Sequence, residues 1–155
     1  MRRFLMGVIT CLTVFLLVPA AALGYSATST AKAQGTGSAP VDSEIICSIY
    51  RNYSFIYEGV VFSGETNCNG FLMVSLYGKA SIVNTATGNQ ASCNTCTDVK
   101  SSGSATLVSG FPYTFRYQTT MQIPAGYNWI VYPPQCVRPS FYILSCTFDT
   151  NFNAP

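Results

Sequence analysis

The chain has 155 residues, of which 48% are hydrophobic, 14% aromatic and 9% charged, with no histidine and a formal net charge of +2. That composition excludes an intrinsically disordered chain, and without histidine any acid–base work near neutral pH falls to six carboxylates or a perturbed lysine. The positive excess belongs to the N-terminus: beyond residue 33 five bases face six acids, which leaves no electrostatic basis for binding nucleic acid or an anionic membrane.

Met1, Arg2 and Arg3 precede an uncharged apolar run over residues 4–23, the pattern of an export signal. Ala31-Lys32-Ala33 before Gln34 fits the small-x-small pattern of signal peptidase, and Ala20-Ala21-Ala22 is an earlier alternative. The expected organisation is therefore a signal over residues 1–33, a Gly/Ser/Thr/Pro leader over 34–43 and one domain over 44–155. Cys11 lacks the small preceding residue that lipid attachment requires, and no membrane association is expected after cleavage. About 120 residues then remain, enough to build one real core.

From Glu44 onward, β-branched and aromatic runs are punctuated by Gly, Asn, Ser and Pro, as in an antiparallel all-β domain. Tyr53, Phe55 and Tyr57 alternate with Ser54, Ile56 and Glu58 in one long strand running on through Phe62, with a bulge expected at Glu58-Gly59. Residues 64–70 read as a polar turn. Residues 71–77 are apolar at nearly every position and read as a central strand, with Tyr77-Gly78-Lys79 as a tight connection to a strand over 80–84. Further strands are expected over 105–108, 127–132 and 141–148. Residues 113–123 show the clearest alternation: Tyr113, Phe115, Tyr117, Thr119, Met121 and Ile123 on one face, polar residues and Arg116 on the other. About seven or eight such strands predict a disulfide-stabilised β-sandwich, immunoglobulin-like or Greek key.

Six cysteines (Cys47, Cys68, Cys93, Cys96, Cys136 and Cys146) follow the apolar segment, an even number that reads as a disulfide framework formed outside the reducing cytosol. Cys47 with Cys68 would join the first strand to the turn after the long second one, and Cys136 with Cys146 would clamp the final hairpin, leaving Cys93 with Cys96. A bond from Cys93 or Cys96 to Cys136 is the competing pattern. Cys93-Asn94-Thr95-Cys96 also has C-x-x-C spacing, but it stands in a polar loop of an all-β chain, without the helix N-terminus of a redox pair or the further ligands of a zinc site. Neither metal nor cofactor is expected.

The remaining candidates are few. Glu58 and Glu65 form the most plausible carboxylate pair for glycosidase-like chemistry, although turn carboxylates are usually only solvated. Tyr127, Trp129 and Tyr132, with Tyr142, would form an aromatic patch able to stack on sugars, set against a core role for Tyr127 and Trp129. Lys100-Ser101 is the one suitable scissile bond for a serine-protease inhibitor, since Pro139 follows Arg138. Asn52-Tyr53-Ser54 is a glycosylation sequon. These features favour a non-enzymatic protein recognising an extracellular protein or glycan, with a carbohydrate-binding module and a protease inhibitor as alternatives.

Cys47, Gly59-Val60, Cys68-Asn69-Gly70, Leu76-Tyr77-Gly78, Cys93/Cys96 and Pro124-Ala125-Gly126-Tyr127 before Cys136 form a series over residues 44–146. In this series the chain resembles small secreted proteins of Gram-positive actinobacteria. The resemblance implies a β-sandwich and secretion, and carries no catalytic or binding residue with it.

Overall fold

The computed structural model describes residues 24–37, 43–57, 59–69, 73–92, 95–96 and 100–155. They form two antiparallel sheets packed face to face, an all-β sandwich cross-linked by disulfides. No helix among them is long and apolar enough to cross a membrane.

Sheet A contains β1 (Tyr25–Gly35), β2 (Glu44–Ile56), β3 (Gly59–Cys68), β6 (Thr95–Cys96), β7 (Lys100–Thr106) and β9 (Tyr127–Val131), in the order β6-β7-β3-β2-β1-β9. Sheet B contains β4 (Ser75–Asn84), β5 (Gln90–Ser92), β8 (Pro112–Gln122), β10 (Cys136–Val137) and β11 (Ile143–Asn153), in the order β10-β11-β8-β4-β5. The strands number eleven among the described residues, more than the expected count because short strands flank the long ones.

The N-terminal boundary differs most from expectation. β1 pairs with β2 from Tyr25↔Tyr53 to Gln34↔Glu44, and Ala31 and Ala33 are wholly buried. The cut expected after Ala33 falls inside this strand, and Gln34 and Gly35, assigned to a leader, complete it. Residues 25–35 thus belong to the sandwich. The Ala/Ser/Thr composition of β1 suits a processing site and equally a strand whose small inner-face residues Ala31 and Ala33 are wholly buried. Residues 1–23 and 38–42 lie outside the described residues.

The expected long strand through Tyr53 and Phe62 is instead a hairpin, closing at Ile56↔Gly59. Two glycines read as turns lie within strands for a common reason. A Cβ on Gly64 would stand 2.1 Å from the Tyr117 ring, and one on Gly78 would stand 2.5 Å from the Tyr117 hydroxyl. Gly64 of sheet A and Gly78 of sheet B together make room for one wholly buried tyrosine, the close approach that strand glycines often mark.

Tyr117 organises a polar layer in the sandwich. Its hydroxyl lies 2.9 Å from Thr66 Oγ1, which donates to Thr119 Oγ1, and Thr119 donates to the Tyr77 carbonyl. Burial raises the Tyr117 phenol above its ordinary pKa, against the lowering effect of these hydrogen bonds. In the same layer the buried Arg51 guanidinium stacks 3.7 Å from the Phe148 centroid and donates through Nη2 to Ser29 Oγ, while its Nε has no partner among the described residues. Burial lowers the Arg51 pKa. Stacking on a ring partly offsets the loss of hydration for such a cation.

On one side of this layer lies an aromatic cluster, in which Tyr53 stacks on Phe152 at 4.7 Å and meets Phe115 edge-on at 5.7 Å. On the other, Ile45, Met121, Ile123, Leu144 and Trp129 make an aliphatic and indole core. Both expected pairings are present, each joining residues directly opposite in a ladder: Cys136–Cys146 across β10 and β11, and Cys47–Cys68 across β2 and β3, where Cys68 ends a strand rather than lying in a turn. The expected Cys93–Cys96 partnership involves Cys93, which lies outside the described residues, as do Phe71 and Leu72.

Candidate functional site

The aromatic patch expected at Tyr127, Trp129 and Tyr132 divides between core and surface. Tyr127 is 5% exposed, its hydroxyl 2.8 Å from Ser43 Oγ, and Trp129 is 2% exposed. Both face inward by the alternation of β9, so neither ring can stack on a ligand. Tyr132 and Tyr142 do reach the surface. What surrounds them is an apolar ledge that sequence reasoning did not assemble.

The ledge starts with an irregularity in β9. Its register with β1 shifts between Lys32 and Ala33: Val131 pairs with Lys32 and Trp129 with Ala33, so Ile130 is the extra residue. A bulge breaks alternation and turns consecutive side chains outward, and Ile130 and Val131 are both about half exposed. The chain then passes Tyr132 and a Pro133-Pro134 turn, closed by Cys136 N–H donating to the Pro133 carbonyl, and enters β10 in the other sheet.

Beyond β10 the segment 138–142 is held at several points. Ser140 Oγ accepts from the N–H groups of Tyr142 and Ile143. The Tyr142 carbonyl accepts from Ile123 N–H at 3.0 Å and from the Trp129 indole N–H at 3.4 Å. Arg138 donates to the Trp129 carbonyl and lies 5.3 Å from the Phe141 ring centroid. Trp129 therefore supports the ledge from beneath without contacting what lies above it. Val137 and Phe141, each 65% exposed, project from this fixed backbone beside Arg138. Pro133, Pro134 and Pro139 were the available signal: so many prolines keep the segment out of long strands, and its apolar residues cannot all alternate into a core.

The other candidates are placed as follows. Glu65 faces outward on β3, 3.9 Å from Lys100 Nζ, while Glu58 lies outside the described residues. Lys100 and Ser101 sit within β7, paired with β3, and Ser101 is wholly buried and also opposite Cys96 of β6. The Lys100-Ser101 bond thus stands at the start of a paired strand rather than in a free loop. Asn52 lies mid-strand on β2, its amide bonded to Tyr50 and Ser63.

No protein family model matches the chain, and no curated protein or solved structure matches it.

Proposed function

We propose that this is an exported, non-enzymatic recognition domain that docks a protein partner outside the cytosol through the ledge around Arg138, Phe141 and Tyr142. The observation that carries this reading is the exposure of Val137 and Phe141 on a backbone pinned by Trp129, Ser140 and the Cys136–Cys146 bond. An exposed apolar group normally lowers solubility, and holding several rigidly together is the arrangement of a binding surface. Tyr, Phe and Arg are the residue types enriched at protein interfaces, and a prefixed backbone reduces the ordering cost of association.

Export is supported by the Arg2-Arg3 start, the apolar run after it and the two disulfides. Cleavage within Ala20-Ala21-Ala22 would leave β1 whole, whereas cleavage after Ala33 would remove most of it. We therefore assign processing to the earlier site. Recognition rather than catalysis is favoured because Glu65 stands as a half of a surface ion pair.

The test is saturation binding of the oxidised protein to cell envelopes of the producing organism, intact and after proteinase treatment, with Phe141→Ser as variant. Saturable binding that proteinase destroys, and that weakens at least about tenfold in a folded Phe141→Ser protein, is expected for a hot-spot aromatic. Binding that survives proteinase, or that Phe141→Ser leaves unchanged, would overturn the assignment.

A further inference from the structure

The outward face of sheet A carries a second surface of different chemistry. Asn52 of β2, Ser63 of β3 and Ser102 of β7 stand opposite one another in the ladder, and two residues along each strand Ser54, Val61 and Ser104 form a parallel row. Together they line a shallow cleft of about 530 Å³, within the range of roughly 300–1,000 Å³ usual for ligand sites. Adjacent strands lie about 4.8 Å apart, and residues two apart on a strand point to the same side, so the array is a regular grid rather than a chance cluster.

Part of the grid is already oriented. Ser63 Oγ donates to Asn52 Oδ1, Asn52 Nδ2 donates to the Tyr50 hydroxyl at 3.1 Å, and Ser26 Oγ donates to the same hydroxyl at 3.4 Å. With Oδ1 accepting and one amide hydrogen engaged, the second amide hydrogen of Asn52 remains to be offered to a ligand. The hydroxyls of Ser54, Ser102 and Ser104 have no hydrogen-bond partner among the described residues and can each donate or accept. Val61, 40% exposed, interrupts the hydroxyls with one apolar step.

Every residue lining the cleft is uncharged. The nearest charges in register, Glu65 and Lys100, lie 3.9 Å apart in the adjoining row of the sheet and oppose each other. A charged ligand would lose hydration here without gaining a counter-charge, which is unfavourable. A ligand rich in neutral hydroxyls with an apolar C–H face would match donors, acceptors and Val61 alike. We propose that this cleft binds a neutral oligosaccharide in extended form, independently of the apolar ledge.

Titration calorimetry of the full oxidised protein with cellohexaose, xylohexaose, maltohexaose and, as an anionic control, hexagalacturonate tests the assignment. Saturable binding of at least one neutral hexasaccharide is expected. Asn52→Ala with Ser63→Ala should weaken it about tenfold or more, the loss expected from one or two net hydrogen bonds. Ser104→Glu, at an exposed position that leaves the core untouched, should weaken it comparably, and Phe141→Ser should not change it. Failure of all three neutral sugars to bind would overturn the proposal. So would binding confined to hexagalacturonate, or binding lost with Phe141→Ser and retained in Ser104→Glu.

Discussion

The ledge and the cleft are built by opposite means. The cleft follows from unbroken alternation: β2, β3 and β7 run in register, and every second side chain faces outward without special support. The ledge follows from broken alternation, requiring a bulge in β9, a crossing between sheets, three prolines and a disulfide to hold apolar groups in water. Regular strands can present polar groups at little cost, whereas exposing apolar groups in fixed positions takes dedicated covalent and hydrogen-bonded restraint. The two surfaces should therefore fail under different perturbations.

The largest effect separates them through β1, which links β9, and with it the ledge, to the rest of sheet A. A chain beginning at Gln34 is expected to lack a cooperative thermal transition, because it uncovers Ile45, Cys47 and Ile49 and leaves β9 without its strand partner. A chain beginning at Gly24 should melt as a single transition. Similar melting of the two would contradict the placement of β1 and sever the supposed dependence of the ledge upon it.

Gly64→Val probes the other surface, since Gly64 follows Ser63 directly and its missing side chain accommodates Tyr117. Displacing that ring should cost about 3 kcal/mol, toward the upper end for overpacked cores. Chemical denaturation would measure it. If hexasaccharide binding weakens together with stability while envelope binding persists in the folded fraction, the cleft and ledge are energetically separate.

The smallest effect is visible only at alkaline pH. Burial raises the folded-state pKa of Tyr117, so the phenol favours folding while neutral in both states, below its unfolded value of about 10. Above that value the unfolded phenol ionises first, and stability falls as pH rises until the folded phenol ionises too. Tyr117→Phe should lose about 1 kcal/mol at neutral pH with the hydrogen bond to Thr66, yet show a shallower alkaline decline. Tyr53, whose pKa burial also raises, should retain part of that decline in the variant. Denaturation at several pH values from neutral upward checks this; parallel curves would show that Tyr117 does not titrate as its burial requires.

The sandwich was legible because β8 alternates without interruption and the cysteines clamp adjacent strands, features encoded locally. Gly64 and Gly78 look like turn residues in the sequence because what excludes a side chain there is Tyr117, a residue distant along the chain. β1 was obscured by composition: alanine and threonine suit both a processing site and a strand packed tightly against another sheet. Tyr127 and Trp129 carried an aromatic signal that favoured core and ligand site alike, and only burial decides between them. The joint exposure of Ile130 and Val131 was not legible because it depends on a bulge, a property of the register between β1 and β9 rather than of either strand.

That register has a consequence for how the chain assembles. Gly35 finds its partner in Tyr127, a residue synthesised long after β1, β2 and β3 are free to join as consecutive hairpins. Since distant pairings form slowly, the margin of β1 over residues 32–35 stays bare until residues 127–131 are in place. Residues 25–31, which β9 does not reach, contain neither proline nor charge, the usual deterrents to improper strand addition. Docking of β9 closes only residues 32–35, so among the described residues the Ala/Ser/Thr stretch before them is the margin of sheet A most open to self-association.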